Sequence, residues 1–341
     1  MKAVRLLKYN QHPEVMEIEE PRITGPNDVI VRIGGAGLCR TDLHIIEGQW
    51  VEKSGVTLPY TLGHENAGWV EAIGSAVSNV AIGDTVIVHP LVTCGLCRAC
   101  RAGNDMHCSN SVFPGISVDG GMATLLKTNA RAVVKLDPSL HPKDIAALAD
   151  AGLTAYHAVK KAVPLLYPGT KAVVIGAGGL GHIGVQCLKA LTPAQIIVLD
   201  KSRAALDLTR QWGVDYAIEA DGSHVKKVLE ITDGQGAEVV IDFVGEQGAE
   251  HEAVKMLRRA GSHFIIGYGG TLSVPTIDII STEINFIGNL VGTYNDLVEL
   301  MTLTAQGKVT LHTAIYPLDA ALDAIHDLES GRLRGRGILV P

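Results

Sequence analysis

Residues Lys171–Gly181 read KAVVIGAGGLG, an apolar run that stops at a cluster of glycines and leads into a helical pattern from Leu180 to Ala190. Gly176-x-Gly178-x-x-Gly181 after a strand and at the mouth of a helix is the setting in which a glycine pattern carries meaning. Gly176 permits the sharp turn, Gly178 lets the backbone approach a pyrophosphate, and Gly181 lets the helix pack closely on the strand. Gly179 and Leu180 lie in the same turn, so that a phosphate would meet the helix N-terminus. An ordinary glycine-rich turn is the plainer reading. Against it stands Asp200, which ends the next strand 19 residues beyond Gly181, where a carboxylate would hold ribose hydroxyls. That carboxylate would also repel a 2′-phosphate, so NAD is expected over NADP. Lys201 and Arg203 follow at once and work in the opposite direction.

Outward from this motif the chain alternates strand and helix. Ala172–Ile175, Ile196–Leu199, Tyr216–Ile218, Val239–Asp242, His263–Ile266 and Asn285–Val291 read as strands, with a helix near Arg203–Trp212. Six strands with right-handed crossovers predict an α/β fold with a doubly wound, parallel six-stranded Rossmann sheet. Before about residue 135 the texture is different: short stretches such as Val29–Ile33 and Thr85–Val88 between Gly, Pro and Asn read as a β-rich domain. A helix at Tyr294–Ala305 and a strand at Gly337–Val340 follow the cofactor region, which makes the first domain discontinuous. The expected division is 1–150 with 291–341, and 151–290.

Bulk properties narrow the functions. At 341 residues and 47% hydrophobic content there is material for two cores, yet no apolar run is long enough to span a membrane. A net charge of −7 without clustered basic residues argues against nucleic acid and for a small-molecule partner. The amino-terminal residues carry acidic side chains where an export signal needs an apolar segment, so a cytoplasmic location is expected.

In such a compartment disulfides are rare, and four of the six cysteines fall within fifteen residues as Cys94-x-x-Cys97-x-x-Cys100 and Cys108. Four thiolates close a tetrahedral shell around zinc and leave no position for substrate, so the role is structural. Buried thiols or an iron–sulfur cluster are the competing readings, with His107 a rival ligand. A second group lies outside this lobe, in Gly37-Leu-Cys39-Arg40-Thr41-Asp42-Leu-His44 and Gly63-His64-Glu65-Asn66. Catalytic zinc needs three protein ligands and an open position, and Cys39 with His64 supplies two. The remaining cysteine, Cys187, sits in an apolar helix and behaves as a small hydrophobe.

Taken together, the Cys-Arg-Thr-Asp-x-His run, Gly-His-Glu, the four-cysteine lobe and Gly-Ala-Gly-Gly-Leu-Gly resemble the zinc-dependent medium-chain alcohol dehydrogenases across nearly the whole chain. That resemblance implies a GroES-like catalytic domain, one catalytic and one structural Zn2+ per chain, an alcohol or carbonyl substrate, and a homodimer or homotetramer. It places the third catalytic ligand where this chain has Asp150 instead of the cysteine found in many members. An aspartate keeps the thiolate's charge, and a zinc–carboxylate bond is normal, so the exchange is chemically sound. A solvated aspartate at the end of a helix from Asp144 to Ala149 is the alternative, and Glu65 is a reserve ligand. The resemblance further implies zinc acting as a Lewis acid, a proton relay through Thr41 to His44, and hydride transfer to the nicotinamide. Asp42 is expected to orient His64. Arg40 and Arg336 are expected on the pyrophosphate, with Arg334 one register away, and Thr154 near the cofactor. Trp50 is a candidate for the substrate pocket or for the core. A polyol, amino-alcohol or aldehyde dehydrogenase of the same superfamily, or a zinc-stabilised NAD-binding module without catalysis, remain the other readings.

Overall fold

The computed structural model describes residues 1–341, with the side chain of Lys53 outside the described set. The chain divides into two compact units, Thr154–Val291 and the pair of segments Met1–Leu153 and Gly292–Pro341.

Within Thr154–Val291 six strands form one sheet: β1 (Lys171–Ile175), β2 (Gln195–Asp200), β3 (Tyr216–Glu219), β4 (Ala237–Asp242), β5 (Leu257–Ile265) and β6 (Asn285–Gly288). They are all parallel, in the order β3-β2-β1-β4-β5-β6. This is the doubly wound Rossmann arrangement. Helices over Gly181–Leu191, Arg203–Arg210, His224–Ile231, Ala249–Met256 and Thr276–Thr282 make the five crossovers, and the first four bury residues against the sheet. Both faces of the central strands are therefore dry, which is why β1, β2 and β4 are continuous apolar runs rather than alternating ones. The sixth strand is shorter than the sequence predicts. Asn289 turns its amide back onto the carbonyls of Ile265 and Ile287, and Val291 takes a positive φ of 48°, so the ladder stops at Gly288.

The other unit holds a small sheet of Lys2–Leu6, Glu14–Glu17 and Tyr60–Thr61, and a seven-stranded sheet centred on Asp28–Leu38. Asp28–Leu38 pairs antiparallel with Glu65–Ile73, Leu125–Asn129 and Arg336–Val340. The carboxy-terminal strand thus completes a sheet begun by the amino-terminal segment. Asp28–Leu38 is longer than the Val29–Ile33 expected, because Gly34, Gly35 and Gly37 read as a loop. Gly37 belongs in the strand for a steric reason: a Cβ there would collide with the Glu65 carboxylate on the facing strand. Val31, Ile33, Ala36, Leu38, Val70, Val86 and Leu339 form part of the core beneath.

Two local features set the positions of Cys39 and Asp150. After Leu38 the chain turns at Cys39 into a helix, Arg40–Ile46, whose start is tied by Cys39 N donating to Asp42 Oδ2 at 2.8 Å and Asp42 N donating to the Cys39 carbonyl. The helix expected over Asp144–Ala149 is instead an α-turn, Pro142–Ile145, followed by a tighter 3₁₀ segment, Ala146–Ala149. Pro142 suits the first turn because its fixed φ is already helical. The fully buried 3₁₀ residues deliver Asp150 ahead of a further helix, Ala151–Ala162. Among the described residues no helix is long and apolar enough to cross a membrane.

Candidate active site

Cys39 follows the central strand, His64 precedes and Glu65 opens the strand beside it, and Asp150 follows the buried 3₁₀ segment. From these separate places the fold brings one ligand atom of each to within 4.8 Å of the others. His64 is essentially inaccessible, at 1% exposure, yet neither ring nitrogen makes a hydrogen bond of good geometry. A buried polar atom left so is costly unless something else satisfies it. Nε2 stands 3.5 Å from Asp150 Oδ2, close to the about 3.3 Å edge expected of two N/O ligands on tetrahedral zinc. A thiol, an imidazole and a carboxylate with an unsatisfied nitrogen among them fit a zinc ion. On the far side, Nδ1 lies 3.3 Å from Asp42 Oδ1, and Asp42 is wholly buried.

Glu65 is engaged differently. Its Oε1 accepts from Ala151 N at 3.0 Å and its Oε2 accepts from Arg336 Nη2. Burial pushes the Glu65 carboxyl up, against the opposing pull of the Arg336 guanidinium, while the same carboxylate holds Arg336 above its ordinary value although burial works to lower it. Arg336, expected on a pyrophosphate, is 4% exposed and spends a donor inside this unit. Nothing in sequence pattern signals a pair 271 residues apart.

Arg40, Thr41 and His44 share the helix that starts after Cys39; Arg40 is exposed, and Thr41 and His44 are half-buried. Trp50 is half-buried and packs against the apolar core of its unit. Thr154, also half-buried, lies in Ala151–Ala162.

In the cysteine lobe all four thiols are unbridged and converge. Cys97 Sγ and Cys100 Sγ are 3.5 Å apart, and Cys94 Sγ and Cys108 Sγ 3.6 Å, near the about 3.7 Å edge of a zinc–thiolate tetrahedron. Backbone amides of Leu96 and Cys97 donate to Cys94 Sγ, and that of Cys94 to Cys108 Sγ. Those of Leu96 and Cys97 pull the Cys94 thiol down to about 6, whereas burial pushes Cys100 up to about 11. A lobe whose amides point at sulfur is built to hold thiolates. His107 is not in the cluster.

The dinucleotide turn follows β1. Gly176 has φ of +87°, and a Cβ on Gly181 would run into the Gly176 carbonyl, so the first turn of the helix is pressed against the strand end. A Cβ on Gly178 would meet nothing within 4 Å. That open face is the space a pyrophosphate needs beside bare backbone. Asp200 ends β2 with Oδ2 accepting from Ala177 N at 2.6 Å and Oδ1 from Ser202 N at 2.7 Å, which fixes the carboxylate beside the turn. Lys201 donates to Gln247 and Arg203 to Glu219.

Comparison with known proteins agrees with this geometry. Residues 25–138 match the family model described as the alcohol dehydrogenase GroES-like domain, and residues 179–306 match zinc-binding dehydrogenase. An NAD-dependent alcohol dehydrogenase of Sulfurisphaera tokodaii is 36% identical, covering all of both chains. The chain belongs to the zinc-dependent medium-chain alcohol dehydrogenase family. It is an oxidoreductase of that family, with a GroES-like fold and a Rossmann fold. The crystal structure of the alcohol dehydrogenase from Aeropyrum pernix superposes with a TM-score of 0.97 at 48% identity over the whole of both chains. A D-arabinose 1-dehydrogenase (NADP(+)) of Saccharolobus solfataricus is 35% identical over 100% of this chain and 97% of its own. Family membership therefore leaves both the substrate and the choice of nicotinamide cofactor to be argued from this chain's own residues.

Proposed function

We propose that this dehydrogenase interconverts primary or secondary alcohols with aldehydes or ketones using NAD, with one catalytic and one structural zinc per chain. The observation that carries the reading is the convergence of Cys39, His64 and Asp150 around a buried His64 nitrogen with no hydrogen bond. These three residues would hold the catalytic zinc, and Cys94, Cys97, Cys100 and Cys108 the structural one. When bound, zinc supplies a Lewis acid that acidifies an alcohol, and NAD supplies the hydride acceptor. Residues 1–150 with 291–341 serve as the catalytic domain, and 151–290 as the cofactor domain.

The chain's own residues do the rest. Asp42 faces His64 Nδ1 and fixes the tautomer that leaves Nε2 free to bind metal. Glu65, already engaged by Arg336 and the Ala151 amide, stays beside the ligand set as a reserve carboxylate. Arg336 pairs with Glu65 through Nη2 and keeps its other guanidinium donors, the buried Nε without a hydrogen bond among them, for the pyrophosphate, with Arg40 on its helix serving the same group. Thr41 takes the hydroxyl proton and His44 releases it to solvent. Gly176, Gly178, Gly179, Leu180 and Gly181 admit the pyrophosphate, with Thr154 alongside the cofactor, and Asp200 holds the ribose hydroxyls. A 2′-phosphate would meet Asp200 while the nearby cations are spent on Gln247 and Glu219, which supports NAD. Trp50, packed on the core, is a wall rather than a contact that reaches deep into the substrate.

A panel of alcohols, polyols and D-arabinose assayed with NAD and NADP, alongside metal analysis, tests the reading. Alcohol-dependent NADH formation is expected. Preference for a pentose and NADP would move the assignment to the sugar dehydrogenases, and NAD binding without turnover would leave a binding module. Light scattering tests the expected dimer or tetramer.

A further inference from the structure

Sharing no residue with either cysteine site, His12, His326 and Glu329 bring one ligand atom each to within 4.8 Å of one another, all on exposed residues of the same unit. We propose that they form a third metal site, an open surface site for a divalent transition cation of the zinc, nickel and copper class.

Three observations support it. The two imidazoles come from distant segments, one from the turn after the strand Lys2–Leu6 and one from the helix Ala321–Glu329, yet their ring centroids are only 4.9 Å apart and edge to face. Glu329 stands three residues after His326, the spacing that puts two side chains on one helix face. Asp327, the carboxylate next to His326 in the chain, is committed elsewhere: it accepts from Tyr316 Oη at 2.8 Å and from Arg332 Nε at 2.8 Å. The described residues give the three ligand side chains no hydrogen bond or ion pair of their own. The site also lies in the last turn of its helix, where the backbone carbonyls favour positive charge.

Two imidazole nitrogens and one carboxylate oxygen suit borderline cations rather than magnesium or calcium, with copper tightest and nickel and zinc below it. Three protein ligands leave positions for water, so the site is a clip and not a closed structural shell. It would join the turn at His12 to the helix Ala321–Glu329, which packs in turn on the helix Arg40–Ile46.

The test uses untagged, zinc-replete enzyme titrated calorimetrically with Ni2+ alone, beside the doubly substituted H12Q/H326Q variant and an E329Q variant. Each changed residue is exposed, so folding is preserved, and comparison with the unaltered enzyme cancels uptake at the resident sites. We expect the parent to show one class of Ni2+ binding that the double variant lacks and that E329Q weakens about tenfold or more, as loss of a metal-site partner does. Ni2+ should also raise the Tm of the parent and not of the double variant. Equal Ni2+ isotherms for parent and double variant would overturn the proposal, as would isotherms that respond to the two histidines and not to Glu329.

Discussion

Asp150 departs from the cysteine of many relatives, and its side chain faces the His64 nitrogen at 3.5 Å. Replacing it by alanine should lower kcat/KM at least about 10²-fold, the scale lost with one electrostatic group at a reacting centre. The structural zinc and the Tm should change little; a fully active variant would move the third ligand elsewhere. Gly37 is tested by the opposite operation, adding an atom. Gly37→Ala pushes a methyl into Glu65, and overpacking at such a site costs about 1–3 kcal/mol. Denaturant unfolding measures it, and an unchanged midpoint would show that Glu65 has room to move. Cys39, His64 and the four lobe cysteines were legible as candidate metal ligands because thiols and imidazoles at short spacing have few other uses, and the structure brings each group together. The pairing of Arg336 with Glu65 was not legible, since an arginine's partner in space leaves no trace in the residues beside it.

At the scale of elements, ends and turns carry the predictions. Thr293 caps the helix Tyr294–Ala305, with Asp296 N donating to Thr293 Oγ1 and Thr293 N to Asp296 Oδ2. Thr293→Ala should cost about 1 kcal/mol, read as a lower unfolding midpoint. Asp28, at the head of the central strand, accepts at Oδ2 from the amides of Thr24 and Gly25. Partial burial works to raise its carboxyl, but the Thr24 and Gly25 amides outweigh it and hold the group below its ordinary 3.8. A folded value below the unfolded one means a stabilising contribution present above about pH 3.8 and lost as pH falls through the folded value. The Tm gap between the enzyme and Asp28→Asn should therefore be widest near neutrality and narrow below pH 4; a gap constant with pH would refute this. Strands of the parallel sheet and the helix Tyr294–Ala305 were readable from periodicity and length. The extension of Asp28–Leu38 through three glycines was not, because the crowding that demands them comes from distant residues: Trp69 and Pro142 at Gly34, the Pro142–Lys143 backbone at Gly35 and Glu65 at Gly37. The 3₁₀ segment before Asp150 was hidden because three alanines and a leucine fit either winding.

Over the whole molecule the two clusters of candidate metal ligands and the sixth cysteine, Cys187, should separate by reactivity. Cys187 is fully buried, and burial pushes its thiol up to about 12, so it stays protonated and inert at pH 8. A disulfide reagent added to native enzyme after chelation should label lobe cysteines and spare Cys187 until denaturant is added; rapid labelling of Cys187 would contradict its place in the core. The change from a β-rich to a strand–helix texture was visible along the chain, and the GroES-like assignment came with the family resemblance, whereas which strands neighbour which across the seven-stranded sheet was not visible. That topology has a consequence for biosynthesis. Arg336–Val340 lies between Thr313–Pro317 and Asp28–Leu38, so the sheet that presents Cys39 and His64 is two strands short while most of the polypeptide is being translated, and Thr313–Pro317 joins it only once Arg336–Val340 is in place. Every strand of the Rossmann sheet has left the ribosome by then. A nascent chain stalled before Arg336 exposes the open edge of Asp28–Leu38 to chaperones and to aggregation.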